Sequence, residues 1–145
     1  MHLRIKEVMT PHAVVTRPDV TLQEAAWRMK VMDVGALPVC DGDDILGIIT
    51  DRDIAVRAVA DGRDATRSQV HEFMTPDVIL CREDDDMAAA GRLMAENQVR
   101  RLVVVDDDGR ISGIISISDM ALDRQDRRLA GRVLSEVSQP TGFES

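Results

Sequence analysis

The sequence contains few of the residues that build metal sites, disulfides or nucleophilic active sites. Cysteine occurs twice, and three histidines, His2, His12 and His71, have no cysteine, serine or acidic partner at a motif spacing. Because Cys40 and Cys81 match no metal-binding spacing, we expect two free thiols in a reducing compartment. We therefore predict no metal site, no catalytic triad and no hydrolytic dyad, and hence a protein that is not an enzyme.

Long apolar runs and an excess of positive charge are also missing. No segment is apolar for long enough to serve as a signal peptide or a membrane-spanning helix, so we expect a soluble cytoplasmic protein. Acidic residues outnumber lysine and arginine by 26 to 18, which gives a formal net charge of −8. A field of this sign repels polyanions, and neither nucleic acid nor an anionic membrane is an expected partner. With 145 residues, 44% of them hydrophobic, the chain can bury the core of one compact domain.

Three short aspartate-rich runs are the first positive feature that invites a metal interpretation. They lie at residues 41–44, 84–86 and 106–108. None has the ligand at position five and the late glutamate that a calcium loop requires. We therefore interpret them as hairpin turns and helix caps.

An internal repeat organises the chain. The segment Val8–Pro11 (VMTP) returns 65 residues later as Phe73–Pro76 (FMTP), and GIITDRD at 47–53 returns 66 residues later as GIISISD at 113–119. Each copy is too short to be an independent domain, so the two copies are expected to form one compact module. We divide the chain into three parts, namely repeat 1 (1–65), repeat 2 (66–125) and a tail (126–145) with a short amphipathic helix through Leu129, Val133 and Val137 and a frayed end.

Hydrophobic patterning predicts the same elements, in the order β-α-β-β-α, in each repeat. Short first strands are expected at 13–16 and 78–81, and each leads into a helix with apolar residues at helical spacing. Asp19 or Thr21 is expected to cap the first of these helices. A hairpin of two buried strands follows, and a second helix then opens at Asp53 or Asp119. This pattern predicts an α/β (α+β) fold with pseudo-twofold symmetry.

The end of the repeated glycine motif carries a hydroxyl and, three residues later, a carboxylate. The pairs are Thr50 with Asp53 and Ser116 with Asp119. This spacing is typical of an ordinary helix cap, which stabilises a helix by about 1 kcal/mol. It also suits a carboxylate that accepts both hydroxyls of a ribose. The junction alone does not separate the two interpretations.

The combined pattern resembles a known family, the CBS domain pair or Bateman module. The resemblance covers residues 3–125 and depends on three duplicated features: the MTP openings, the strands GALPVCD and RRLVVVD, and the junctions GIITDRD and GIISISD. The chain is similar to the stand-alone bacterial proteins of the hypoxic-response type. The resemblance implies a regulatory sensor with internal repeats that binds an adenine nucleotide (AMP, ADP or ATP) or S-adenosylmethionine in clefts between the repeats, with no cofactor required for catalysis.

The resemblance also implies which residues would form the two ligand sites. In the first site it assigns ribose contacts to Thr50 and Asp53, base contacts to Val78 and Ile79, and phosphate contacts to Arg100 and Arg101. Arg52, next to Asp53, could add a further positive charge to this site, whereas its counterpart Ile117 adds none to the second. In the second site it assigns ribose contacts to Ser116 and Asp119 and base contacts to Ala13 and Val14. The phosphate positions of this second site fall on Gly35 and Ala36, which carry no charge. Arg100 and Arg101 could equally be a solvated helix end, where cations are favoured.

Two features predict a homodimer. Residues 54–60 are apolar on nearly all sides of a short helix, and Trp27 falls off the apolar face of its own helix. The family pairs such helices between chains. The leading hypothesis is therefore a homodimeric regulatory module that reports an adenine nucleotide to an unknown protein effector. The alternative is a structural or interaction scaffold that binds no nucleotide and in which both aspartates only cap helices.

Overall fold

A computed structural model describes residues 3–11, 13–122 and 133–137 of the chain. Contacts divide the chain into two compact units whose boundaries differ from those of the sequence repeats. The continuous unit is residues 13–78, and the split unit joins residues 3–11 to the described residues from Ile79 onward.

The continuous unit places helices beside a three-stranded antiparallel sheet in the order β2-β3-β4. Its elements are α2 (Leu22–Met32), β2 (Ala36–Asp41), β3 (Asp44–Thr50), a π-helical segment (Asp53–Val59), α3 (Val70–Phe73) and β4 (Thr75–Pro76). Residues 51–52 are helical and lead directly into the π-helical segment.

The split unit has a four-stranded sheet in the order β1-β7-β6-β5, with β5 parallel to β6 and the other pairs antiparallel. Its elements are α1 (Ile5–Val8), β1 (Thr10–Pro11), β5 (Leu80–Arg82), α4 (Met87–Asn97), β6 (Arg101–Val105), β7 (Ile111–Ser116) and α5 (Ile117–Leu122). Residues 133–137 are also helical, and Val133 is buried in this unit's core. Leu129 and the predicted frayed end lie outside the described residues.

Local sequence signals explain where the two long helices begin and end. The Thr21 hydroxyl accepts a hydrogen bond from the Glu24 N–H at 3.1 Å, and the Asp86 carboxylate accepts one from the Ala89 N–H at 2.8 Å. These side chains satisfy N–H groups that have no partner within the helix. Each helix ends in a left-handed residue, Asp33 with φ 55° and Gln98 with φ 52°. The predicted capping by Thr21 and by the 84–86 run is confirmed.

Each unit has its own hydrophobic core between its sheet and its helices. The continuous core contains the buried residues Leu22, Ala25, Met29, Leu37, Val39, Ile49, Ala58, Val70 and Phe73. The split core contains Ile5, Cys81, Met87, Ala90, Met94, Leu102, Val104, Ile115, Ile117, Met120 and Val133. The mixture of helices and two sheets confirms the predicted α+β class.

The short segment that opens each repeat packs with the hairpin of the other repeat. Strand β1 pairs with β7, and β4 pairs with β3. The helix that precedes each short strand packs in the same unit as that strand. Ile5 of α1 is fully buried in the split core, and Val70 of α3 is fully buried in the continuous core. Each opening segment therefore pairs with the hairpin of the other repeat, and we call this arrangement the exchange of opening segments. The division of the chain into two contiguous repeats did not predict it.

The first predicted strand of repeat 1 is reduced to one residue pair. Only Thr16 pairs, in parallel, with Val39, through hydrogen bonds of 2.9 Å from Thr16 N–H to the Pro38 carbonyl and from Cys40 N–H to the Thr16 carbonyl. Pro18 lacks an N–H and cannot extend the ladder. The short helix α3 begins at Val70, where the Gln69 N–H donates to the Glu72 carboxylate at 2.7 Å.

Both cysteines are free, as predicted. Cys81 is 4% exposed, and burial together with the nearby Asp85 charge raises the pKa of its thiol to about 12. Because the thiolate is the reactive form, we expect Cys81 to resist alkylation at pH 8 until the protein unfolds. The half-buried Cys40 is expected to react first. Mass spectrometry after timed iodoacetamide treatment checks this, and equal labelling of the two thiols in folded protein would contradict it.

Candidate functional site

Each hairpin ends at a junction where a hydroxyl and a carboxylate bind one another's backbone. At the end of β3, the Asp53 N–H donates to Thr50 Oγ1 at 3.1 Å, and the Thr50 N–H donates to Asp53 Oδ2 at 3.0 Å. At the end of β7, the Asp119 N–H donates to Ser116 Oγ at 3.2 Å, and the Ser116 N–H donates to Asp119 Oδ2 at 2.9 Å. The two junctions have the same geometry, and both realise the capping arrangement that the spacing predicts.

Capping uses only part of each carboxylate. A carboxylate has two oxygens and about four acceptor positions, and the cap occupies one of them. Asp53 Oδ1 lies 3.8 Å from the Arg57 guanidinium, too far for a hydrogen bond. The Asp53 side chain is 14% exposed and therefore reachable from solvent. Capping and acceptance of ligand hydroxyls are thus compatible at the same residue.

Close packing explains why each repeated motif begins with glycine. A Cβ added to Gly47 would lie 2.5 Å from the Thr75 carbonyl oxygen, and one added to Gly113 would lie 2.5 Å from the Thr10 carbonyl oxygen. Both carbonyls belong to the exchanged opening strands. Because glycine has no Cβ, it allows β4 to approach β3, and β1 to approach β7, this closely. The motif glycine therefore lets each hairpin pair with an opening segment.

The structure brings Arg101 next to the second junction within the split unit. Arg101 pairs with Ser116 in the β6–β7 register, and the Ile117 N–H donates to the Arg100 carbonyl at 3.1 Å. Both arginines are exposed. The predicted phosphate contacts of Arg100 and Arg101 in the ligand site of Asp53 stay predictions.

The remaining predicted site residues lie at the start of a helix or outside helices and strands. Arg52 is helical and exposed between Thr50 and Asp53. Ala13 and Val14 are half-buried in irregular chain before Thr16, and Val78 and Ile79 are half-buried just before β5. Their predicted contacts with a base stay predictions.

Sequence reasoning missed Arg57, which ties the first junction to α3. Its guanidinium donates to the Phe73 carbonyl at 2.9 Å while it lies 3.8 Å from Asp53. The spacing of Asp53 and Arg57, four residues apart on a helix, was the available signal. Arg57 thereby connects the carboxylate to the segment that leads into β4.

Within residues 3–11, 13–122 and 133–137, no group of three or more histidine, cysteine, aspartate or glutamate side chains is arranged to hold a metal ion. Within the same residues, no helix combines the length and the apolar character needed to cross a bilayer.

Comparison with known proteins places these junctions in a family. The family model for the CBS domain matches twice, at residues 5–59 and 70–123. The CBS domain-containing protein YhcV of Bacillus subtilis (strain 168) is 37% identical over 134 residues, which span 92% of this chain and 94% of that protein. Hypoxic response protein 1 of Mycobacterium tuberculosis (strain H37Rv) is 32% identical over 117 residues, which span 80% of this chain and 81% of that protein.

A solved structure agrees with this placement. The CBS domain pair of protein MJ0100, in complex with 5′-methylthioadenosine and S-adenosyl-L-methionine, superimposes with a TM-score of 0.74 at 26% identity. The match covers 91% of this chain and 99% of that one. The duplicated junctions, the two family matches and the full-length relatives lead to one conclusion: the chain belongs to the CBS domain family as a CBS domain pair.

Proposed function

We propose that this CBS pair is a non-enzymatic regulatory module that binds an adenine nucleotide or S-adenosylmethionine. The observation that carries the proposal is the duplicated junction, in which the cap occupies one position of each carboxylate and leaves the rest for ligand hydroxyls. A ribose offers two adjacent hydroxyls, which suit such an acceptor. The adenosine ligands of the MJ0100 pair support this class of ligand.

Thermal unfolding with AMP, ADP, ATP, S-adenosylmethionine and no ligand tests the proposal. A ligand at 100 times its Kd stabilises the folded state by about 2.7 kcal/mol, which raises Tm by several degrees in a domain of this size. We expect at least one of these ligands to raise Tm. The 2′-deoxy forms of AMP, ADP and ATP, which lack one of the two adjacent ribose hydroxyls, serve as matched controls, and we expect each to raise Tm less than its ribose counterpart.

A scaffold that binds no nucleotide is the second candidate, because the caps alone account for both carboxylates. A Tm that stays constant across the whole panel would favour the scaffold. Release of phosphate from ATP, lost with Asp53→Ala, would instead contradict the non-enzymatic part of the proposal.

We further propose that the module is a cytoplasmic homodimer that passes its signal to a protein effector. Seven large apolar side chains of the continuous unit are exposed, and the four most exposed are Trp27 (61%), Val59 (61%), Val31 (56%) and Val56 (51%). Trp27 and Val31 lie four residues apart on α2, on the face opposite the buried Leu22, Ala25 and Met29. The equivalent positions of α4 hold the exposed charged residues Arg92 and Glu96. The continuous unit therefore supplies the apolar surface for the proposed dimer.

Trp27→Glu is expected to weaken the dimer about thirtyfold or more, because tryptophan is a frequent energetic centre of interfaces and a charge there would lose its water. Sedimentation equilibrium measures the dissociation constant. Arg92→Glu, at the matching position of α4, is the control and is expected to have little effect. A monomeric mass at micromolar concentration, with solvent-quenched emission from this single tryptophan, would contradict the dimer.

A further inference from the structure

A methionine packs against the motif glycine in each unit. Met9 directly precedes β1, and a Cβ added to Gly113 would lie 2.7 Å from Met9 Sδ. Met74 directly precedes β4, and a Cβ added to Gly47 would lie 3.0 Å from Met74 Sδ. Each thioether therefore lies in the space that the missing side chain of the glycine leaves beside the hairpin.

Few backbone hydrogen bonds can hold the two opening strands to their hairpins. β1 and β4 are each two residues long, and the second residue of each is a proline, which has no N–H to donate. Met9 packs against the split core and Met74 against the continuous core, each as a partly buried apolar side chain. The pairing of each opening strand therefore depends strongly on a methionine that stays apolar.

Exposure separates these two methionines from the others that the structure describes. Met9 and Met74 are half-buried, so part of each side chain is open to solvent. Met32 is 50% exposed on α2. Four others are buried in the two cores: Met29, Met87, Met94 and Met120. A small oxidant therefore has readier access to Met9 and Met74 than to the buried four.

We propose that Met9 and Met74 are sites of reversible oxidation by a peroxide, and that their oxidation loosens β1 and β4 from the hairpins. The sulfur lone pair attacks one peroxide oxygen, the O–O bond breaks and an S=O bond forms, so that hydrogen peroxide is reduced to water. The product is a polar side chain. A buried sulfoxide oxygen without a hydrogen bond is unfavourable, so the oxidised side chain favours solvent over its place beside the glycine. Two thiols reverse the step, since they take up the oxygen as water and become a disulfide.

Graded treatment with hydrogen peroxide tests the proposal, with peptide mass spectrometry to locate added oxygen and hydrogen exchange to follow the strands. We expect Met32 to oxidise first, Met9 and Met74 next, and the buried methionines last. As Met9 and Met74 oxidise, exchange should speed up about tenfold in β7 and β3. Methionine sulfoxide reductases of both epimer specificities, supplied with dithiothreitol, should restore the original rates, whereas dithiothreitol alone should not.

Substitutions separate the two methionines from the other oxidisable side chains. Leucine keeps an apolar contact but cannot be oxidised, so the double variant Met9→Leu/Met74→Leu is expected to keep its exchange rates in peroxide. Met32→Leu is the matched control and should respond as wild type does. Glutamine imitates the polar sulfoxide without any oxidant. Met9→Gln should therefore speed up exchange in β7 alone, and Met74→Gln in β3 alone.

The role of the two methionines is wrong if they carry added oxygen while exchange in β3 and β7 stays unchanged, or if they oxidise no sooner than the buried methionines. It is also wrong if the double leucine variant responds to peroxide as wild type does, since Met32 or a cysteine would then be responsible. Should that variant not fold, the reductase treatment of oxidised Met32→Leu decides, because these enzymes act only on methionine sulfoxide. None of these measurements requires a ligand, so each outcome leaves the proposed function untouched.

Discussion

Asp53→Ala is expected to weaken AMP binding at the tighter site at least tenfold, whereas Asp119→Ala leaves that site in place. The family resemblance assigns phosphate contacts beside Asp53 to Arg100 and Arg101, and it assigns the corresponding positions beside Asp119 to the uncharged Gly35 and Ala36. Hydrogen bonds from arginine to phosphate are charge-assisted and contribute roughly 1.5–3 kcal/mol each. One or two such bonds separate the two affinities by at least a factor of ten. Calorimetry with AMP on wild type, both alanine variants and Arg101→Ala measures this difference.

Two controls separate binding from folding in this experiment. Asp53→Asn keeps an acceptor for the Thr50 N–H, so it should preserve more of the helix cap than Asp53→Ala does. In urea, the free energy of unfolding of Asp53→Ala should be lower than that of the wild type by about 1 kcal/mol. Loss of AMP binding with Asp119→Ala, while Asp53→Ala and Arg101→Ala bind normally, would invert the assignment and leave the arginines as a solvated helix end. Loss of AMP binding with both Asp119→Ala and Arg101→Ala would show that Arg101 contacts the ligand in the site of Ser116, its partner across the β6–β7 hairpin.

Ile5→Ala is expected to destabilise the split unit by about 2–5 kcal/mol, although Ile5 stands at the start of repeat 1. Its side chain is fully buried in the core that contains Leu102 and Ile115. Hydrogen exchange should therefore speed up in β6 and β7, with little change in β2 and β3. Val70→Ala is the matched variant, because Val70 is 65 residues further along and is fully buried in the continuous core. It should speed up exchange in β2 and β3 instead.

The two variants together test the exchange of opening segments. Faster exchange in β2 and β3 with Ile5→Ala, and in β6 and β7 with Val70→Ala, would show that each segment packs with its own repeat. Equal acceleration everywhere would show that the two units unfold as one, and the assignment would then depend on crystallography of the variants.

The elements that sequence reasoning predicted well are those set by neighbours in the chain. The hairpins follow from pairs of apolar strands around aspartate and glycine turns, and the caps at Thr21 and Asp86 follow from single side chains. The junctions were also predictable, because a hydroxyl and a carboxylate three residues apart can reach one another's N–H groups within one turn. Each of these depends on fewer than about ten residues of sequence.

The features that could not be predicted depend on distant residues. Val8–Pro11 and Phe73–Pro76 have nearly the same sequence, so nothing local says which hairpin each one joins. The closeness of Gly47 to the Thr75 carbonyl and of Gly113 to the Thr10 carbonyl arises from pairing between segments far apart in the chain. The π-helical winding of residues 53–59 also has no signal in the hydrophobic pattern, which is apolar on nearly all sides.

The divided sequence of the split unit has a consequence for synthesis on the ribosome. Residues 13–78 contain every strand and helix of their own unit, so that unit can close as soon as its last residues emerge. Residues 3–11 have to wait for strands that begin at Leu80, a delay on the order of ten seconds at ordinary rates of translation. During that time the apolar side chain of Ile5 has no core to enter, and it is available to chaperones or to another nascent chain. Residues 3–11 are thus synthesised before the continuous unit but pack after it.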